Sequence, residues 1–222
     1  MSLYLKCDNL EIRMGNKPLI SKFNLSILSQ EKITITGPNG IGKTSLLKIL
    51  AGLSKPHLGE ITYFHDKELT DKNKTLMFLP NIPSLMLDQS ILWNLDFYTQ
   101  SYSNKFLIDD YKKVLRRVNL QDRNMQVARS LSTGQKRRLS LAAMLLIKPK
   151  IILADEPTNG LDDSGVDICL DIFSELITKN NSAIIIATHD ESLIKWANKN
   201  ICLSNFLPEI KRNLKPEIKV LL

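Results

Sequence analysis

Gly37-Pro38-Asn39-Gly40-Ile41-Gly42-Lys43-Thr44 is the stretch from which the rest of the chain is read. It fits G-x-x-x-x-G-K-[ST], a loop that wraps nucleotide phosphates. Its flanks agree. Lys32–Thr36 (KITIT) reads as a β-branched strand entering the loop, and residues 45–53 (SLLKILAGL) read as a helix leaving it. The glycines let backbone N–H groups turn inward on phosphate oxygens, and the helix N-terminus adds partial positive charge there. Lys43 supplies a full charge for the β- and γ-phosphates, and the Thr44 hydroxyl a ligand for Mg²⁺. A chance glycine-rich turn is the bland alternative, and it does not explain why strand, loop and helix occur together. The pattern implies a nucleoside triphosphate.

The second signal is Ile151-Ile-Leu-Ala-Asp155-Glu156-Pro157. An apolar strand ending in two carboxylates puts them at the carboxyl edge of a sheet, where open α/β sheets bind ligands. Asp155 is the candidate Mg²⁺ ligand and Glu156 the candidate base for an attacking water. A strand end merely capped by acids is common, but it loses ground beside a phosphate loop. Leu131-Ser132-Thr133-Gly134-Gln135 precedes a helix over residues 136–147. Ser132 and Gln135 fit a capping box, which is a sufficient local reading. A glycine-bearing helix start is also an anion site, and the phosphate loop already has its own helix. A γ-phosphate offered by another molecule is the functional alternative. Thr188 and Glu191 make another possible capping box around His189, which would sit at a sheet edge within reach of a γ-phosphate or its attacking water.

Around these motifs the chain alternates strand and helix. Residues 3–7 and 24–28 read as strands joined by a turn at Gly15-Asn16-Lys17-Pro18, and residues 60–64 and 75–79 as two more. Pro80 and Pro83 break the backbone around Asn81. Helices dominate from 84 to 147. A helix over 106–118 carries Leu107, Tyr111, Val114, Leu115 and Val118 on one face, with Lys112, Lys113, Arg116 and Arg117 on a solvated one. Residues 151–154 and Ala183–Ala187 read as strands, 166–178 and 191–198 as helices. Strands apolar throughout suit a parallel sheet covered on both faces. The tail from Asn200, broken by Pro208 and Pro216, receives no role.

The 222 residues suit one α/β domain. A net charge of +7, with lysines scattered, reads as a basic surface rather than a nucleic-acid or membrane patch. Cys7, Cys169 and Cys202 are odd in number and lack metal-ligand spacing, which points to reduced thiols. Lys6, Asp8 and Glu11 argue against a signal peptide, and runs such as residues 141–147 are too short to span a bilayer. A soluble, cytoplasmic chain is expected.

Taken together, these motifs resemble the ATP-binding cassette (ABC) ATPase family, in order and spacing, from about Leu3 to Ser204. The resemblance implies an α/β P-loop NTPase of ABC type over residues 1–222. It would have a mainly parallel sheet core, antiparallel N-terminal strands and a helical subdomain inserted at about 84–147. Gly37–Thr44 matches the Walker A loop and, with Ser45, would bind ATP. Residues 151–156 match Walker B, Leu131–Gln135 the signature, Asn159-Gly160-Leu161-Asp162 the D-loop and His189 the switch histidine. Lys43, Glu156 and His189 are then the catalytic candidates, with Thr44 and Asp155 on Mg²⁺. The family implies a head-to-tail dimer in which each ATP lies between one chain's Walker A loop and the other's signature, the partner being a second copy or a second cassette. Its closure would drive integral membrane permease subunits at the inner face of the cell membrane.

Three positions depart from the pattern. Thr133 stands where a glycine is commonest. Met14 replaces the aromatic that stacks on adenine, giving a softer thioether contact and weak base discrimination. Asn81 aligns with the Q-loop glutamine, one methylene shorter, which weakens its case as a metal ligand but keeps one for coupling to a partner. The last two, with Asn94-Leu95-Asp96-Phe97, are similar to the haem-exporter ATPases of cytochrome c maturation. The expected function is the ATPase subunit of a transporter. A soluble assembly ATPase, as in iron–sulfur scaffolding, is the second reading. A ribosome- or nucleic-acid-associated member is the third, disfavoured by a single cassette without sustained heptads.

Overall fold

The computed structural model describes residues 2–15, 17–65, 68–69, 75–102 and 106–208, the side chains of 65, 68 and 69 excepted. Asn16 of the first turn and Pro216 of the tail lie outside the described residues. A five-stranded sheet, all parallel, runs in the order β6 (Leu76–Leu79), β7 (Ile151–Asp155), β8 (Ala183–Ala187), β3 (Lys32–Thr36), β9 (Lys199–Cys202). Every residue of β7 and β8 is buried, because both faces of the sheet are covered. Ile152, Ala154, Ile184 and Ile186 point toward the helices α2 (Ile91–Ser101), α3 (Ile108–Arg117), α4 (Thr133–Ile147) and α5 (Asp163–Asn180). Leu153, Ile185 and Ile35 point the other way, toward α1 (Lys43–Leu50) and an antiparallel sheet in the order β2 (Lys17–Leu28), β1 (Leu3–Met14), β4 (Leu58–His65), β5 (Glu68–Leu69).

The antiparallel strands β1 (Leu3–Met14) and β2 (Lys17–Leu28) are far longer than the alternation predicts. Asn9 and Lys22 take left-handed φ of 51° and 54°. Burial in β1 switches there from Leu5 and Cys7 to Leu10 and Ile12, and in β2 from Ile20 to Phe23 and Leu25. Such bulges break the period of two without ending the pairing. β4 (Leu58–His65) pairs with β1, and β5 is the two-residue Glu68–Leu69.

The helical part comprises α2 (Ile91–Ser101), α3 (Ile108–Arg117) and α4 (Thr133–Ile147). Tyr111, Val114, Leu115 and Val118 are buried as predicted, but Leu107 is not on that face. It is the N-cap residue of α3 and is 76% exposed. The basic face of α3 is solvated, with Lys112 on Asp109 at 3.2 Å and Arg117 on Glu175 at 2.9 Å. Glu175 belongs to α5 (Asp163–Asn180).

The end of the chain has structure that its sequence did not advertise. α6 (Glu191–Trp196) stops early, and Asn198 accepts a hydrogen bond from the Lys32 N–H at 2.9 Å. β9 then forms the sheet edge, with Asn200 accepting from Thr34 and Thr36 at 3.2 and 3.1 Å. Leu203 is buried behind it, and Phe206 meets Phe23 edge-on at 4.9 Å. Among the described residues no helix is long and apolar enough to cross a membrane.

Candidate functional site

Four neighbouring strands of the parallel sheet end on one edge, and each delivers one segment there. β6 runs into Pro80 and Asn81, β7 ends on Asp155, β8 leads to Thr188 and His189, and β3 leads to Gly37. Residues far apart in sequence are thereby gathered around one cavity of about 460 Å³. Asn39, Gly40, Gly42, Lys43, Thr44 and Ser45 line one side, and Asn81, Asp155, Glu156 and His189 the other, with Met14 at the margin. Met14 is 68% exposed. Gly37, Pro38 and Ile41 do not line it. The Ile41 side chain is turned into the core.

Gly42 caps α1 at φ 114°, a conformation that favours glycine at the loop's entry to the helix, and a Cβ there would press on Ile20 Cδ1 at 3.3 Å. Lys43 folds back over the loop and is nearly buried, its ammonium donating to the carbonyls of Gly37 at 2.8 Å and Pro38 at 3.5 Å. The Thr44 hydroxyl donates to Asp155 Oδ2 at 2.8 Å. Burial pushes the Asp155 carboxyl above its ordinary range, and that hydrogen bond pulls against it. Hydroxyl, carboxylate and the nearby Asn81 amide are hard oxygen donors, the kind Mg²⁺ takes in small number beside phosphate and water.

The two carboxylates diverge because Glu156 adopts a left-handed φ of 46°, rare for a residue with a side chain. Its N–H still bonds Ala187 O at 2.9 Å, which holds the kink against β8. Asp155 therefore turns to Thr44 while Glu156 turns to the end of β8. There His189 Nδ1 lies 2.9 Å from Glu156 Oε1, and the Thr188 hydroxyl donates to Oε2 at 3.1 Å. The capping box predicted for Thr188 and Glu191 is not formed. The helix begins at Glu191, so Asp190 is its cap, accepting from the Ser192 N–H at 2.8 Å, while the Thr188 oxygen accepts from the Asp190 N–H at 3.0 Å.

Leu131–Gln135 lies at a second cavity of about 270 Å³, lined by Ser132, Gly134, Gln135, Arg138, Gly160 and Asp162, none of which lines the first. Leu131 is buried beneath it. Here the capping box is real: the Ser132 hydroxyl accepts from the Gln135 N–H at 3.2 Å, and the Ser132 N–H donates to Gln135 Oε1 at 3.0 Å. Thr133 packs on Gly160, where an added Cβ would meet its Cγ2 at 3.0 Å. Arg138 donates to Asp162 at 2.5 Å and to Ser164 at 3.0 Å. That bond holds the Asp162 carboxyl below its ordinary range. The start of α4 and the 160–162 segment are thus one fitted block.

Arg137 went unread in the sequence. Among the described residues it is the largest fully buried side chain; its guanidinium donates to Pro80 O at 2.6 Å and to Asn81 O, and its Nε has no hydrogen-bond partner among them. Burial pulls its pKa down. It joins α4 to the loop at the first cavity, where Asn81 Oδ1 also accepts from Asn159 at 3.1 Å. The helix pattern carries no signal for it, because residues 139–147 are buried on every side and Arg138 has buried Leu141 and Ala142 at the same spacing.

Directly after Asn81 the surface turns apolar. Ile82 is 82% exposed, Met86 and Leu87 are exposed nearby in sequence, and Trp93 and Phe97 stack at 5.2 Å on the open side of α2. Asn94 is buried and clamps the preceding loop, accepting from the Met86 N–H at 2.8 Å and donating to Met86 O at 3.1 Å.

A family model described as "ABC transporter" matches residues 20–159. The chain is 31% identical over 220 residues to the lipoprotein-releasing system ATP-binding protein LolD 1 of Chlorobium chlorochromatii, covering 94% of this chain and 89% of that one. It is 32% identical over 197 residues to the cytochrome c biogenesis ATP-binding export protein CcmA of Histophilus somni, covering 85% and 88%. Among solved structures, a dimeric post-hydrolysis state of the ATP-binding cassette MJ0796, bound to ADP and Pi, has a TM-score of 0.79 at 24% identity. That match covers 90% of this chain and 94% of the other.

Proposed function

Because the chain belongs to the ABC transporter family, as an ATP-hydrolysing ATP-binding subunit, we propose that it drives an integral membrane permease encoded as a separate chain. The observation that carries this reading is the exposed apolar surface that begins at Ile82, one residue beyond Asn81 at the edge of the first cavity. An apolar patch set against a hydrolysis site is suited to a partner that must sense it. The partner would hold the chain at the cytoplasmic face of the cell membrane.

In this reading the phosphates lie along the loop 37–44 and Ser45, with Lys43 leaving its carbonyl contacts for the β- and γ-phosphates. Thr44 and Asp155 would hold Mg²⁺, with Asn81 at its margin, and the ion would neutralise phosphate charge. Glu156 accepts a proton from the attacking water, with His189 on its Oε1. The second cavity, separate within one chain, receives the γ-phosphate of an ATP bound by the partner chain, so the working unit is a dimer. The dimeric cassette among the solved structures supports that arrangement. Met14 meets adenine through its thioether.

For cargo we propose haem or another small molecule of cytochrome c biogenesis. The support is Met14, Asn81 and the likeness to CcmA, against which stands an equal likeness to a lipoprotein-releasing subunit. Asn94 adds nothing to this choice, since its contacts are those of a local clamp.

The test is a pull-down of tagged Glu156→Gln protein, with ATP, from gently solubilised native cells. Co-purification of a polytopic membrane protein is expected, with a haem absorbance band if the cargo is haem. Recovery of a soluble scaffold or of ribosomes instead would overturn the transporter reading. In solution the same variant should keep ATP affinity while hydrolysis slows by roughly 10²–10⁴-fold.

A further inference from the structure

We infer that Thr188 is a positioning residue for the reaction: its hydroxyl fixes the Glu156 carboxylate in the orientation that hydrolysis uses. The inference rests on Glu156 being the base.

A glutamate carboxylate rotates about a broad, roughly two-fold terminal torsion, so a base of this type needs an anchor on one oxygen. Among the described residues two groups hydrogen-bond it. His189 is nearer, 2.9 Å from Oε1, but its side chain is 79% exposed, and water competes for the bond. Thr188 is 3.1 Å from Oε2 and fully buried, where a hydrogen bond to a charge persists. The direction of the Thr188 bond is set by its surroundings. The hydroxyl oxygen accepts from the Asp190 N–H at 3.0 Å, which leaves its single proton for Glu156. Asp190 is in turn tied to Thr158 at 3.0 Å and caps α6. The anchor therefore runs from the start of α6 through Thr188 to Oε2, independent of the exposed imidazole. Glu156 needs it because its left-handed backbone and Glu156 N–H bond place only the Cα and leave the carboxylate free to turn.

The experiment compares wild type, Thr188→Val, Thr188→Ser, Glu156→Gln and the Thr188→Val/Glu156→Gln pair, measuring ATP affinity and turnover. Valine keeps the volume and removes the hydroxyl; serine restores it. Thr188→Val should lower kcat by about 10- to 100-fold, the scale of a misplaced reacting group, with KM for ATP changed less than about twofold. Thr188→Ser should return kcat to within about threefold of wild type, and in the Glu156→Gln background Thr188→Val should cost under about twofold more. ATP affinity reports that each variant is folded, since the phosphate loop and Thr188 leave adjacent strands of one sheet. If Thr188→Val bound no ATP, the decision would fall on Thr188→Ser: near-normal kcat supports the anchor, and a loss as large as that of Glu156→Gln overturns it. Wild-type turnover in Thr188→Val overturns it as well, as does an undiminished effect beside Glu156→Gln. Unchanged turnover in Glu156→Gln alone would instead remove the base, a separate outcome.

Discussion

Gly134→Ala tests whether the start of α4 and the 160–162 segment act as one block. A Cβ at Gly134 would sit 2.7 Å from the Gly160 carbonyl oxygen and 3.8 Å from Leu161 Cδ2. A backbone carbonyl cannot rotate away as a side-chain tip can. Gly160 is itself at φ 78° under Thr133, and Asp162 is held by Arg138. The segment must move by a few tenths of an ångström, an overpacking cost of about 1–3 kcal/mol. Better helix propensity returns up to about 1 kcal/mol of that. The net, between about 0 and 3 kcal/mol, lowers the melting temperature by up to about 12 °C for a chain of this size. Because the first cavity shares no lining residue with the second, ATP affinity should hold while turnover falls by about tenfold, in proportion to a small misplacement. Thermal melting, equilibrium ATP binding and steady-state hydrolysis on one preparation give the three readings. Gly59→Ala is the comparison: at φ 86° its Cβ would meet Asp8 O at 2.5 Å and Asn9 O at 2.6 Å, far worse contacts lining neither cavity. It should cost more stability yet leave turnover per folded molecule near wild type. Unchanged melting and turnover in Gly134→Ala, or a loss of ATP affinity alongside turnover, would show that the two segments are not coupled as described.

Lys43→Ala should weaken ATP binding at least about tenfold, the weight of charge-assisted hydrogen bonds, and normal affinity by equilibrium binding would count against the loop as phosphate site. Met14→Tyr should lower KM for ATP about 2- to 10-fold by adding an aromatic stack at the cavity margin, and an unchanged KM would place adenine elsewhere. Arg117, ahead of Lys179, holds the Glu175 carboxyl below its ordinary value. A depressed folded-state value gives stability that is present above the unfolded carboxylate's pKa and lost as pH falls through the folded one. Arg117 is half exposed, so the pair is worth under about 1 kcal/mol. Glu175→Gln should therefore melt slightly below wild type at about pH 7, with the gap closing below about pH 4. A gap that persists in acid would assign the loss to packing.

The phosphate loop was legible because its chemistry is local: spacing, glycines and the flanking strand all fall within a dozen residues. Lys32–Thr36 and Ala183–Ala187 form strands at the predicted bounds, and β7 extends its prediction only by Asp155, since central parallel strands are apolar without interruption. The antiparallel strands were read short because the bulges at Asn9 and Lys22 reset the alternation that would have extended them. β9 escaped notice for a related reason. It is an edge strand with half-buried and exposed residues, held largely by main-chain pairing to β3 and by Asn200, which leaves no hydrophobic rhythm to read.

The site itself divides along the same line. Sequence identifies which groups can do the chemistry, and Lys43, Thr44, Asp155, Glu156 and His189 do share one cavity. What it does not carry is the destination of a hydrogen bond donated from another element. Thr188 reads as a helix cap, because Ser and Thr before a glutamate usually are, yet its proton goes 32 residues back to Glu156. Arg137 reads as one basic residue among several in Gln135-Lys136-Arg137-Arg138, yet it is buried and its neighbour Arg138 reaches Asp162. They differ in direction around the helix axis, which residues 139–147, buried on every side, do not reveal. Arg137 faces the loop of its own chain's first cavity. Arg138, 100° further round, faces the second. One turn of α4 thus lines the second cavity through Arg138 and is bonded, through Arg137, to a residue that lines the first. A displacement of that helix start would be felt at Asn81 through Arg137 and at Asp162 through Arg138, although the two cavities share no lining residue.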